Sequence, residues 1–290
     1  MSNELIAVRV GSLLPSGFAG SIWSVHESVV NIEVPAEAGR PSLLFSLVAT
    51  DVAMTGLSVQ LDSVPQGREK GTEVIVRLRA APAHPAAGED GDATGSVLEI
   101  ATAGAQSYSG EISRPAFRWL LDERRPVIDA FKAMLDECGN PDGLMGVVTD
   151  LPAGEAAPRH ALRTMERLAE WDKSVEALPE VLASLVGLGP GMTPAGDDFV
   201  CGVLLTAQAV GANLDTTPLA VRHSATTLPG ATLLWLALRQ SFPAYLVMPL
   251  TSVALGHSEP KDAARAIVGH GATSGTDALA GIVWALRMLV

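Results

Sequence analysis

Residues 188–199, LGPGMTPAGDDF, place two adjacent carboxylates, Asp197 and Asp198, after a loop of glycine and proline and at the head of an apolar run. Paired carboxylates can orient an amide, exchange a proton or hold a divalent cation. Thr193 followed by Pro194 is a strong helix-start pair, because the hydroxyl can cap orphan amides while proline presets φ. The aspartates then fall in the first two turns of a helix that is apolar almost all round. The helix dipole favours a carboxylate there by about 0.3 to 1 kcal/mol, and a single aspartate would satisfy that preference. Adjacent side chains point about 100° apart, so at least one of the pair is expected to face an internal cavity. A buried carboxylate needs a cation, a proton or hydrogen-bond donors. Asp197 and Asp198 are thus the candidate catalytic residues, with Gly189, Gly191, Thr193 and Gly196 as the ligand-binding loop.

This loop is neither a P-loop, which needs GK[ST], nor a Rossmann fingerprint, which needs a preceding strand. LPEVLASLVGLG before it is helical by the spacing of Val181, Leu182, Leu185 and Val186. Helix, glycine turn, helix delivers a bare helix N-terminus, suited to a small anion. The pattern returns as GHGATSGTDALAG, residues 269–281. Setting Gly191 on Gly271, with one deletion, aligns Thr193 with Thr273, Gly196 with Gly275, Asp198 with Asp277 and Gly202 with Gly281. Ser274 to Asp277 also fits a capping box, so the echo reads either as a repeat or as a shared capping habit. Thr273 and Asp277 join the candidate ligand contacts. So do Thr226 and Thr227, which precede Pro229 and otherwise read as ordinary helix caps. His26 and His270 are the histidines best placed to meet a ligand, each with a structural reading beside it. No His/Cys metal spacing and no GxSxG element occurs, against a zinc enzyme and the common serine hydrolases. The metal stays open, and Mg²⁺ is the cofactor that paired aspartates would take.

The elements that position these residues fall into two compositional halves. The first reads as strands: LIAVRVG, SIWSVHESVVNIEV, SLLFSLVATDVAM, TEVIVRLRA and SVLEIATAG, separated by turn material such as LPSGFAG, VPAEAGRP and SVPQGREKG. HPAAGEDGDATG, residues 84–95, reads as an exposed hairpin tip. From about Arg114 the period becomes helical, with Phe117, Leu120 and Leu121 on one face and Pro126 restarting a second helix that ends near Gly139 and Asn140. Further helices are expected over 158–172, 179–186, 194–210, 228–240, 259–267 and from about 274 onward. The expectation is an α+β protein: an N-terminal antiparallel β sandwich or barrel domain, residues 1–113, then a mainly α-helical domain, residues 114–290, carrying the glycine loop.

The chain has 290 residues, 48% of them hydrophobic and only 18% charged, which excludes a disordered chain and allows a large core. Its net charge of −12, with no basic stripe, argues against nucleic acid as a partner. Residues 199–214 and 240–256 carry no charge, but each is shorter than the roughly 20 residues of a spanning helix, so both read as core helices rather than membrane segments. Cys138 and Cys201 lack CxxC spacing and the start lacks the regions of a signal peptide, so a reducing cytoplasm is the expected location.

GLGPGMTPAGDDFVCG, residues 187–202, resembles the hallmark G-x-G-x-G-[LM]-T-P-x-G-D-D-[FM]-x-x-G of a bacterial family formerly of unknown function. Its best-described branch is the AllH-type subunit of oxamate carbamoyltransferase, and the β-then-α layout also fits. The resemblance implies a transferase subunit in anaerobic allantoin catabolism, a branch of purine degradation. The complex interconverts oxalurate plus phosphate with oxamate plus carbamoyl phosphate. The implied partners are a small carboxylate or phosphate ligand and the other subunits of the complex. The implied roles are loop amides around Gly189 to Gly191 and Thr193 for a carboxylate or phosphoryl group, and Asp197 with Asp198 for orienting the amide or a cation. One departure stands out: few basic residues lie near the loop, with His270 and Arg239 the nearest, whereas carbamoyl phosphate calls for Arg or Lys. Two alternatives remain beside it: a self-sufficient Mg²⁺-dependent hydrolase or phosphotransferase, and a non-catalytic assembly or regulatory subunit whose loop caps helices.

Overall fold

A computed structural model describes residues 5–80, 96–149, 158–171, 173–174 and 176–289. The chain divides into two compact units, Met1–Gly110 and Glu111–Val290. The first is a closed barrel of seven strands in the order β5-β4-β3-β2-β6-β7-β1, shut by β1 on β5, with β8 added beside β1. The strands are β1 Leu5–Gly11, β2 Gly17–Val25, β3 Val29–Val34, β4 Leu43–Ala49, β5 Ser58–Leu61, β6 Glu73–Arg79, β7 Ser96–Ala101 and β8 Gln106–Tyr108. Alternation drives closure: Val30, Ile32 and Val34 of β3 point inward and pair with Leu47, Phe45 and Leu43 of β4.

Of the two expected β architectures the barrel is the one formed, but its strands are mixed rather than all antiparallel. β4–β5, β6–β7 and β1–β7 run parallel. The eight residues between β4 and β5 cross over compactly because Gln60, buried on β5, donates to the carbonyls of Ala49, Thr50 and Val52. β5 itself escaped the sequence reading, since SVQL is buried on both faces and shows no alternation. GFAG, read as turn, opens β2 instead: a Cβ on Gly20 would lie 2.3 Å from the Glu33 carbonyl oxygen, so the glycine serves close strand approach. The segment 84–95 lies outside the described residues. The strands flanking it are parallel, so they do not form the hairpin expected there, and the long connection is of crossover length.

The second unit is helical: α1 Trp119–Asp122, α2 Arg124–Cys138, α3 Arg159–Ala169, α4 Leu178–Leu185, α5 Ala195–Val210, α6 Thr217–Ala220, α7 Leu228–Ala237, α8 Ala244–Ala254, α9 Pro260–Val268 and α10 Ser274–Met288, with short 3₁₀ turns at Met145–Val147 and His223–Ala225. α5 and α10 are buried almost all round and pack on each other at its centre, flanked by α4 and α7 on one side and α2 and α9 on the other. Small residues set that contact. A Cβ on Gly202 would lie 2.1 Å from the Ala278 carbonyl oxygen, and one on Gly281 would lie 2.1 Å from that of Phe199. Within the uncharged run 240–256, α8 buries one side through Ala244, Leu246, Val247 and Leu250 and leaves Met248 exposed, so it is a half-buried helix rather than a core one, and among the described residues no helix is long and apolar enough to cross a membrane.

Candidate functional site

The glycine loop joins α4 to α5 through three left-handed glycines, Gly187, Gly189 and Gly191, with φ of 76°, 111° and 104°. Two backbone bonds fix its ends: the Leu188 amide donates to the Leu185 carbonyl (3.0 Å) and the Gly196 amide to that of Leu188 (2.8 Å). The turn between α9 and α10 repeats both, His270 to Ile267 (3.0 Å) and Gly275 to His270 (3.0 Å). A Cβ on Gly196 would lie 2.0 Å from the Leu185 oxygen, and one on Gly275 would lie 1.9 Å from that of Ile267. The echo in the sequence is therefore a structural equivalence at the helix heads, but the bonded turns run from 188 to 196 and from 270 to 275, which sets Gly189 rather than Gly191 opposite Gly271 and replaces the single deletion with a longer one. Gly196 matches Gly275, Asp198 matches Asp277, and Gly202 matches Gly281 across the helix contact. Asp198 and Asp277 each stand one turn before a contact glycine.

The caps expected at the heads of α5 and α10 are not made. Pro194 occupies the N-cap of α5 and Thr193 makes no cap bond; its hydroxyl lies 3.1 Å from that of Ser274. Ser274 is the first residue of α10 rather than its cap, so the capping box to Asp277 does not form, and Thr273 at the N-cap makes no side-chain cap bond. The hydroxyls are drawn instead to carboxyl groups: Thr193 and Ser274 to Asp198, and Thr273 to Asp277.

Both adjacent aspartates are buried, Asp197 at 2% exposure and Asp198 at 1%. Their roles differ. Asp197 spends both oxygens on the fold, Oδ1 accepting from the Gly187 amide (2.7 Å) and Oδ2 from the Thr226 hydroxyl. It ties the glycine loop to the entry of α7, where Thr227 caps the helix by accepting from the Gly230 amide (3.1 Å) and donates to the Met192 carbonyl. Thr226→Val should therefore cost about 1–3 kcal/mol in denaturant unfolding, because it strands a buried carboxyl oxygen. An unchanged midpoint would deny Asp197 this tie.

Asp198 keeps Oδ2 unpartnered and buried. Asp277 receives the Leu144 amide on Oδ1 (2.6 Å) and likewise leaves Oδ2 buried without a partner. Burial pushes Asp198 well above the usual carboxylate range, and the neighbouring charge of Asp277 pushes the same way. Burial lifts Asp277 to about 7. Burial also raises Asp197, against the bonds from Thr226 and Gly187. The facing pair, Asp198 and Asp277, thus holds at least one proton near neutrality.

Tyr245 of α8 supplies a third orphan. Its hydroxyl is buried without a partner, and burial first, then the charges of Asp198, Cys201 and Asp277, hold it well above the ordinary phenol range. Its ring stacks on that of His270, centroids 3.7 Å apart and 8° from parallel. His270 thus acts as a platform in the α9–α10 turn, with burial lowering its pKa. Beside the loop, the His160 ring of α3 approaches Gly189, Cδ2 lying 3.5 Å from where a Cβ would be, and its Nε2 is buried without a partner. His26 belongs to the barrel unit, where its amide donates to Val29 in the turn between β2 and β3 (2.8 Å).

Within the helical unit the fold thus gathers the predicted loop glycines, Thr193, Asp198, Thr273 and Asp277, while Asp197, Thr226 and Thr227 brace them. The sequence reading missed Tyr245, Ser274 as a carboxyl partner, and residues 140–144, whose Asn140 amide donates to Thr276 Oγ1 (3.0 Å). Gly143 was the available signal, since a Cβ there would lie 2.5 Å from Asp277 Oδ1. Among the described residues no group of three or more His, Cys, Asp or Glu gathers with the geometry to hold a metal ion.

Residues 185–286 match the family model described as oxamate carbamoyltransferase subunit AllH. The matched stretch runs from the end of α4 through most of α10 and so contains both equivalent turns, which bears out the resemblance to that family over residues 185–286. No curated protein and no solved structure gives a match.

Proposed function

We propose that this chain is a subunit of an oxamate carbamoyltransferase-type enzyme and that Asp198, Asp277 and Tyr245 receive the amide end of its substrate. The observation that carries the reading is the set of three buried, unpartnered oxygen atoms around the heads of α5 and α10. A neutral carboxyl and a phenol both donate and accept, which suits an H₂N–C=O group. An ionised ligand end suits these positions poorly, because the chain's own carboxyl groups already occupy the favourable ends of the two helices. The anionic end belongs at the loop. There the amides of Gly189, Gly191, Met192 and Thr193 are taken by no hydrogen bond within the described residues, and His160 stands beside Gly189.

In carbamoyl transfer the amide nitrogen of oxamate attacks the carbamoyl carbon of carbamoyl phosphate. A C–N bond forms, the C–O bond to phosphate breaks, and the nitrogen loses a proton. Asp277, with a pKa of about 7, is suited to take that proton and return it in the reverse reaction. Asp198, whose pKa burial pushes upward, orients the amide. Both substrates are small, and the partner subunits implied by the family description would supply the cation that phosphate requires or close the site.

The test is thermal unfolding of the chain against oxamate, oxalurate, carbamoyl phosphate, phosphate and Mg²⁺, beside the variant carrying Asp198→Asn and Asp277→Asn. A ligand at 100 times its Kd adds roughly 2.7 kcal/mol. An oxamate-dependent rise that vanishes in the variant is expected. Silence across the panel, together with unimpaired transfer by the reconstituted complex carrying both substitutions, would sink the proposal; a rise with Mg²⁺ alone would favour a metal-dependent hydrolase.

A further inference from the structure

We propose that α7 carries a separate site for inorganic phosphate, formed by the Arg239 guanidinium, the Trp235 indole N–H and the His223 ring. Ala231, Trp235 and Arg239 follow one another at intervals of four and share a face of the helix and its C-terminal extension. The Arg239 guanidinium lies over the Trp235 ring, its Cζ 3.7 Å from the ring centroid, and donates once to the Trp235 carbonyl (3.3 Å). Among the described residues its other donors have no acceptor and no carboxylate lies within ion-pair distance, in a chain with 32 acidic against 20 basic residues.

Two further polar atoms lack partners, one on the ring that the guanidinium covers and one on the imidazole that faces its charge. Trp235 is only 8% exposed, yet its Nε1–H is buried with no acceptor, and His223 Nδ1 is buried with none. Native proteins seldom leave such atoms unpaired, and together they ask for something that both accepts and donates. With Nδ1 unpartnered, the approach of the His223 ring to the Ala231 backbone falls to Nε2, and a proton there leaves Nδ1 a lone pair. Burial first, and then the facing charge of Arg239, lower the His223 pKa and so keep that lone pair free at neutral pH.

The combination selects among oxyanions. Arg239 and Trp235 offer donors to anionic oxygens, and Nδ1 requires an O–H. Hydrogen phosphate carries both above neutral pH. Sulfate has no O–H, and a phosphate monoester loses its last proton near pH 6. A bound water would satisfy Trp235 and His223 but would leave the guanidinium without a counter-charge.

The site does not rest on the carbamoyl-transfer reading, and one experiment separates them. The indole N–H resonances of the five tryptophans are followed by two-dimensional NMR at about pH 8 during titration with inorganic phosphate, sulfate and methyl phosphate, with Trp235→Phe assigning the Trp235 signal. The expected result is a saturable shift of that signal with phosphate. Arg239→Gln should weaken the response at least about ten-fold, and sulfate and methyl phosphate should bind about ten-fold more weakly, each factor corresponding to about 1.4 kcal/mol. Asp198→Asn should leave it intact. An unsaturable response, equal binding of all three anions, an undiminished response in Arg239→Gln, or loss of the response in Asp198→Asn would overturn the proposal. Unfolding of Arg239→Gln in phosphate-free buffer checks that the exposed side chain is dispensable for the fold.

Discussion

Gly202→Ala is expected to lower the thermal midpoint of the helical unit sharply, although alanine is the better helix former. Helix propensity alone would add about 1 kcal/mol at an interior glycine. The new methyl group, however, would lie 2.1 Å from the Ala278 oxygen, which is backbone and cannot swing aside. Separating α5 from α10 would disturb a contact between two helices buried on nearly every side. Overpacking of this kind costs about 1–3 kcal/mol and here should reach or exceed the top of that range, a fall of about 6–12 °C in Tm. Gly281→Ala should behave alike, meeting the Phe199 oxygen at 2.1 Å. The two substitutions should not add, since both relieve their strain by the same displacement. A rise in Tm for either, measured by circular dichroism, would show that propensity outweighs the contact and that the helices do not meet backbone to backbone.

The second large effect is a dependence of stability on pH that asparagine abolishes. Asp277 titrates near 3.8 in an unfolded chain and at about 7 when folded. A raised pKa means that the folded state binds the proton more tightly, so the stabilisation is complete below the unfolded value and drains away as pH climbs through the folded one. Across that window of about three units the loss attributable to Asp277 is on the order of 4 kcal/mol. Asp198 pushes in the same direction, and because each charge disfavours the other the pair titrates jointly. Asp277→Asn retains an oxygen for the Leu144 amide and removes the ionisation, and with Asp198→Asn it should flatten the profile. Asp277→Ala strands that amide and should be weaker at every pH. Urea unfolding at about pH 5 and pH 8 decides the matter: parallel losses in the wild type and the double asparagine variant would mean that the carboxyl pair is already charged or already solvated.

Much of this could be read before the structure. The β segments announced a barrel or sandwich because most strands alternate, and the helices announced themselves by proline starts and apolar spacing. Parallel pairing was hidden because it depends on where the chain crosses over, and β5 because a strand buried on both faces has no period. At the site, Asp198 and Asp277 were legible because two carboxylates on apolar helices demand an explanation. The division of labour inside Asp197–Asp198 was not: which of two neighbours is braced by Gly187 and Thr226 depends on segments far away in sequence. Tyr245 was invisible for a different reason. It sits in AYLVMPL, where a tyrosine reads as one more core residue until its hydroxyl proves to have no partner.

The equivalence of the α4–α5 and α9–α10 turns bears on how the two aspartates come to differ. A pocket made from two copies of one motif presents matching groups to whatever lies between them, whereas proton transfer needs an unequal pair. The inequality comes from the surroundings rather than the motif: a backbone amide, from Leu144, leans on Asp277, while only hydroxyls lean on Asp198. Under the proposed reading, donor and acceptor would therefore be assigned by a turn that belongs to neither copy. Substitutions at residues 140–144 should accordingly reverse or erase the order in which the two carboxyl groups give up their protons, without touching either aspartate.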